Sequence, residues 1–66
     1  MYYYENSKGK IIGRLYECNS GWIAEVGSYN PAAICKFFAN HSFKFKTYRK
    51  AEDYLYKYGC VSAVVL

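Results

Sequence analysis

The chain is poor in the residues from which most active sites are assembled. It has a single aspartate, Asp53, a single histidine, His41, and two arginines, Arg14 and Arg49. His41 has no evident orienting acid, and Asp53 sits among cations. Cys35 and His41 are six residues apart, which does not place them on one helical face, and no third group completes a nucleophilic arrangement. No catalytic residue is expected, and the chain reads as a non-enzyme. Cys18, Cys35 and Cys60 are odd in number and widely spaced, with no Cys-x-x-Cys. That pattern suits reduced thiols better than a disulfide scaffold, and with one histidine it supports no metal site and no cofactor. No apolar run approaches the roughly 18 residues that span a membrane. "MYYYENSKGK" lacks the basic start and apolar run of a secretory leader, so a cytoplasmic location is expected.

What is abundant is aromatic. Of 66 residues 53% are apolar, and nine Tyr, four Phe and Trp22 bring the aromatic share to 21%. One domain, 1–66, is expected. A chain this short buries only about 60% of its unfolded surface, so it needs a rich core, self-association, or both. Tyrosines carry large apolar area and a hydroxyl that seeks a partner, which suits a core rim or an interface. The bias toward Tyr, Lys, Asn, Ile and Phe is that of AT-rich coding and fits a small phage or mobile-element protein of a bacterial host. The net charge of +4 is moderate, but six of nine cations fall between Lys36 and Lys57.

Periodicity divides the chain into a meander and a helix. Tyr2 to Glu5 reads as a strand, Asn6 to Gly9 as a turn, and Lys10 to Cys18 as a second strand. Asn19 to Gly21 forms a loop, and Trp22 to Tyr29 the returning strand. Trp22, Ala24 and Val26 share the face expected to form the core. Glu25, on the other phase, is expected to leave that side partly in water. "NPAAICKFFANH" has two readings. Asn30 and Pro31 can open a helix with Ile34, Phe37 and Phe38 on one face. Alternatively, Ile34 to Phe38 is a strand hairpinned through Asn40 and His41 to Phe43–Lys46. In "SFKFKTYRKAEDYLYKYG", Phe43 and Phe45 alternate with Lys44 and Lys46, and the period then changes at Thr47. Tyr48, Ala51, Leu55 and Tyr58, with Tyr54 beside them, form a helical stripe closed by Gly59. "CVSAVVL" reads as a buried strand, or as an edge that recruits another subunit. The expected fold is α+β: a small antiparallel sheet, a three-stranded meander plus a C-terminal strand, packed against one or two helices.

Two fragments, "GWIAEV" at Gly21–Val26 and "FKTYRKA" at Phe45–Ala51, resemble the AP2-type DNA-binding domain and the arm-binding domains of tyrosine integrases. The resemblance implies three antiparallel strands packed on one helix, with the outer sheet face in the DNA major groove. That family carries arginines on the first two strands. Aligned through Gly13 and Trp22, this chain places Leu15, Glu17 and Asn19 outward instead, and Arg14 on the inward phase.

Lys44, Lys46, Arg49 and Lys50 crowd the expected helix N-terminus, where cations oppose the macrodipole and natural sequences place acids. Such a corner suits an anion or a partner's carboxylates. With Tyr2, Tyr3 and Tyr4 it forms the expected binding surface. The expected role is non-catalytic binding of a protein, in the cell of a bacterial host. The alternatives are DNA or RNA binding through the same corner and the open sheet face, or a self-associating subunit. No membrane association is expected, and a homodimer is allowed.

Overall fold

The computed structural model describes residues 1–65. Five strands form one antiparallel sheet: β1 (Tyr2–Asn6), β2 (Ile11–Cys18), β3 (Gly21–Tyr29), β4 (Phe37–Phe45) and β5 (Cys60–Val64). Their order across the sheet is β4-β3-β2-β1-β5. One helix, α1 (Tyr48–Lys57), crosses a face of the sheet from the β4 edge to the β5 edge.

The turns follow from local chemistry. The Asn6 side-chain oxygen accepts from the amides of Lys8 and Lys10, at 3.0 and 2.9 Å, and ties the first hairpin. In the second hairpin Cys18 pairs with Gly21, so the turn is Asn19–Ser20 and Gly21 already belongs to the strand. Thr47 caps α1, its hydroxyl accepting from the Lys50 amide at 3.2 Å. Gly59 takes φ of +101° just past the helix, where a side chain would strain the backbone.

The helix stripe meets the sheet as its spacing requires. Ala51 and Leu55 are fully buried against Tyr4, Leu15 and Ala24, with Cys60 beside them and Trp22, Val26, Phe45, Tyr48 and Tyr54 around the rim. The core is a slab one side chain deep, which suits a sheet covered on one side only.

Several expectations are corrected. No helix forms between Asn30 and His41, and the alternative hairpin through Asn40 and His41 does not form either. Residues 37–45 are one continuous strand beside β3. Asn30 and Pro31 start a closed loop instead. The Asn30 side-chain oxygen accepts from the Ala32 amide, and the Asn30 backbone amide donates to the Lys36 carbonyl at 2.7 Å. Ile34, expected on an apolar face, is fully exposed there. Leu15 is not outward but wholly buried under the helix. Arg14 is not inward: it lies directly opposite Glu25 on the face away from α1. Glu25 is not in water, being only 8% exposed. β5 is not a buried strand. Val61, Ser62 and Ala63 are exposed, and β5 pairs with β1 alone. The last residue of "CVSAVVL", 66, lies outside the described residues.

The face opposite the helix holds a second, smaller cluster. Arg14 donates from Nε to Glu25 Oε1 at 2.6 Å, with a further ion-pair contact through its terminal nitrogen. Its guanidinium lies over the Phe37 ring at 4.9 Å and near the Tyr16 ring at 5.4 Å. Tyr3 packs edge-on against Tyr29 at 5.5 Å and tilted against Phe37 at 6.2 Å. The ion pair is thus screened from water by rings rather than by a second layer.

Buried titrating groups make the fold sensitive to alkali. Burial, and then hydrogen bonding with Tyr48 and Glu52, pushes the Tyr4 hydroxyl far above its ordinary range. Burial alone raises the Cys60 thiol from 9.0 to about 11. A folded-state pKa above the unfolded one gives stability that is complete below the unfolded value and is lost as pH rises through the folded one. The urea midpoint is therefore expected to fall progressively above about pH 9, as the unfolding free energy drops by on the order of 2 kcal/mol by pH 11. Cys60→Ala should remove the thiol's share of that pH dependence. A midpoint flat to pH 11 would contradict the burial of these groups.

Candidate functional site

The residues singled out from sequence are distributed unevenly. Tyr4 is unavailable for binding: it is fully buried, and its hydroxyl donates to Glu52 Oε2 at 2.7 Å beside the Tyr48 hydroxyl at 2.9 Å. Tyr3 belongs to the aromatic cluster over Arg14 on the open face. Tyr2 is 47% exposed and edge-on to Tyr48 at 5.9 Å.

The four cations do not share one face. Lys44 pairs with Ile23 in β4–β3 and so points to the face away from α1. Lys46 and Arg49 are exposed on either side of the Thr47 cap, and Lys50 turns toward the groove between α1 and β4. The amides of Lys50 and Ala51 are already bonded to Thr47.

What the fold brings together instead is a row of rings between β4 and α1. Strand alternation puts His41, Phe43 and Phe45 on the helix side of β4, while α1 presents Tyr54 and its C-cap Tyr58 toward them. Phe43 meets Tyr54 edge-on at 5.2 Å, Phe45 meets it at 5.5 Å, and Tyr54 and Tyr58 lie 4.9 Å apart. His41 packs against Tyr58 at 5.9 Å. Because α1 packs chiefly over β3, the outer ends of this row are uncovered. Phe43 is 52% exposed and Tyr58 47%, with Phe38 further along the same strand.

A shallow depression of about 270 Å³ borders the row, lined by Phe45, Lys50, Asp53, Tyr54 and Lys57. The Tyr54 hydroxyl is buried there and finds no hydrogen-bond partner among the described residues. Burial, with Tyr58 beside it, pushes that hydroxyl up to about 12, so it remains a proton donor at any physiological pH.

β4 itself is a sheet edge. All of its residues but Asn40, which the register shift skips, pair with β3 on one side, and no described strand pairs with the other. The surface thus combines free backbone groups, exposed rings and lysines at both ends of the depression. Sequence reasoning missed it because alternation gives Phe43 and Phe45 an apolar phase without saying which strand ends the sheet. The missed signal was topological: a strand last in its sheet cannot bury all of its apolar phase.

Among the described residues no three His, Cys, Asp or Glu side chains cluster as metal ligands. No helix among the described residues is long and apolar enough to cross a membrane. Compared with protein-family models, curated proteins and solved structures, the chain finds no match in any of the three.

Proposed function

We propose that this chain is a small non-catalytic binding protein that docks a protein partner along β4 and the adjoining flank of α1. The reading rests on one observation: an unpaired edge strand flanked by exposed Phe43 and Tyr58. An edge of this kind accepts an extended segment by strand addition. Backbone hydrogen bonds supply affinity, and pockets for alternate side chains supply selectivity. Lys44, Lys46, Arg49, Lys50 and Lys57 around that edge favour a segment carrying acidic residues between apolar anchors. A host protein bound by a mobile-element product would fit this chemistry.

The nucleic-acid reading draws less support. The outer sheet face needs free arginines to meet phosphates and guanines. Its one arginine, Arg14, is held by Glu25 and enclosed by rings.

The test uses a partner isolated from the host and then purified. Phe43→Ala should weaken its binding by about 30-fold, the loss typical of a central interface aromatic. Lys46→Glu with Arg49→Glu should mainly slow association, and more so at low salt. Retained affinity in Phe43→Ala removes this surface. Oligonucleotide binding whose logarithm falls steeply with the logarithm of salt would transfer the assignment to nucleic acid.

A further inference from the structure

The opposite edge of the sheet differs from β4 in chemistry. β5 pairs with β1 on one side only, and Val61 is 54% and Val65 fully exposed. From Cys60 to Leu66 the chain has no charged residue, no proline and no glycine. Free edges in monomeric proteins are usually guarded by lysines, prolines, bulges or covering elements. Against a second copy of itself β4 is guarded by Lys44, whose charge would meet its own counterpart, and by the register shift opposite Val26 and Gly27, whereas an acidic segment would meet Lys44 favourably. β5 has only one such guard, the extra residue Val61 near its start, between the pairs Asn6–Cys60 and Glu5–Ser62.

From this contrast we infer that β5 is the surface through which two copies of the chain associate, by two-fold antiparallel pairing of β5 with β5. Two-fold symmetry sets each residue near its own copy, so a self-pairing strand must tolerate its own charge. The chain carries a net charge of +4, and two copies repel over most of their surface. Pairing through β4 would bring Lys44 and His41 toward their counterparts. Pairing through β5 brings together only valine, serine and alanine.

The pairing centres near Ala63, with Ser62 of one copy beside Val64 of the other. Ala63 shares the helix side of the sheet with Tyr4, and Ser62 and Val64 share the other side with Glu5 and Tyr3. The two-fold axis is perpendicular to the sheet, so one continuous ten-stranded sheet results with both helices on the same side. Both β4 edges stay free at its far ends. The inference therefore does not depend on what β4 binds.

Sedimentation across about 10 µM to 1 mM tests it, a range suited to an interface at the small end of the scale. The wild type should pass from monomer to dimer. Ala63→Lys and Ala63→Glu, each placing like charges against themselves, should stay monomeric with unchanged circular dichroism. An equal mixture of these two variants should regain the dimer, which misfolded variants would not do. Phe43→Glu on β4 should dimerise as the wild type does. A wild type monomeric throughout, a mixture that stays monomeric, or a dimer lost through Phe43→Glu instead would each overturn the inference.

Discussion

Glu25→Ala is expected to destabilise the protein by about 2 to 3 kcal/mol, a large part of what a domain this small possesses. Removing the carboxylate leaves Arg14 pressed against Phe37 and Tyr16 with no counter-charge and no acceptor for its Nε hydrogen. The figure is set below the ~3–5 kcal/mol of a fully enclosed pair because about a fifth of the Arg14 side chain remains in water. The double variant Arg14→Met with Glu25→Leu should recover most of the loss, since a desolvated ion pair exchanges for apolar contact at little net cost. Urea unfolding of wild type, Arg14→Met, Glu25→Leu and the double variant closes the cycle. Simple additivity of the two single losses would show that the pair is not coupled.

Gly27→Ala should be at least as damaging, at about 3 kcal/mol, though the residue touches no core side chain. β3 and β4 shift register between Val26 and Gly27, and at that point the β4 backbone crosses against the glycine. A methyl group there would stand inside contact distance of the Phe38 carbonyl oxygen and 2.9 Å from the Ala39 Cα. Neither neighbour is a flexible side-chain tip, so the strands must part. The expected signature is local as well as global: amides at the start of β4 exchange early, while those of α1 keep their protection until global unfolding. Ser28→Ala, at the exposed neighbouring position, serves as control and should be close to neutral. A Gly27→Ala variant with wild-type stability would mean that the close approach does not exist.

The parts of the fold legible in sequence were those fixed by local chemistry. Thr47, the spacing of Ala51 and Leu55, and Gly59 specify α1 without reference to the rest of the chain. The two hairpins of β1–β3 are set by Asn6 and by the Asn19–Ser20 turn. Asn30–Pro31 misled because the same pair that opens a helix also opens a tight loop. The choice was made at a distance, by β3 offering a pairing edge to residues 37–45 and by Arg14 and Tyr3 offering a seat to Phe37.

Arg14 was misplaced for a different reason. Its phase was taken from an alignment through Gly13, whereas stepping back from the Cys18–Gly21 closing pair sets it opposite Glu25. Tyr3, Tyr16, Tyr29 and Phe37 were the available sign that the second face was not simply wet. The candidate surface was legible in its lysines and tyrosines as residue types. Its location was not, because which strand ends a sheet is decided by the whole topology.

The first strand sits between the second and the last. Its bonds to β2 can form within moments of those residues meeting, but its other flank waits for nearly everything else to be made. During synthesis the nascent chain would therefore leave the ribosome with β1 half-zipped and Cys60 not yet in its slot. Closing that clasp is the slow, long-range step, and until it closes the newborn chain offers chaperones an additional edge to hold.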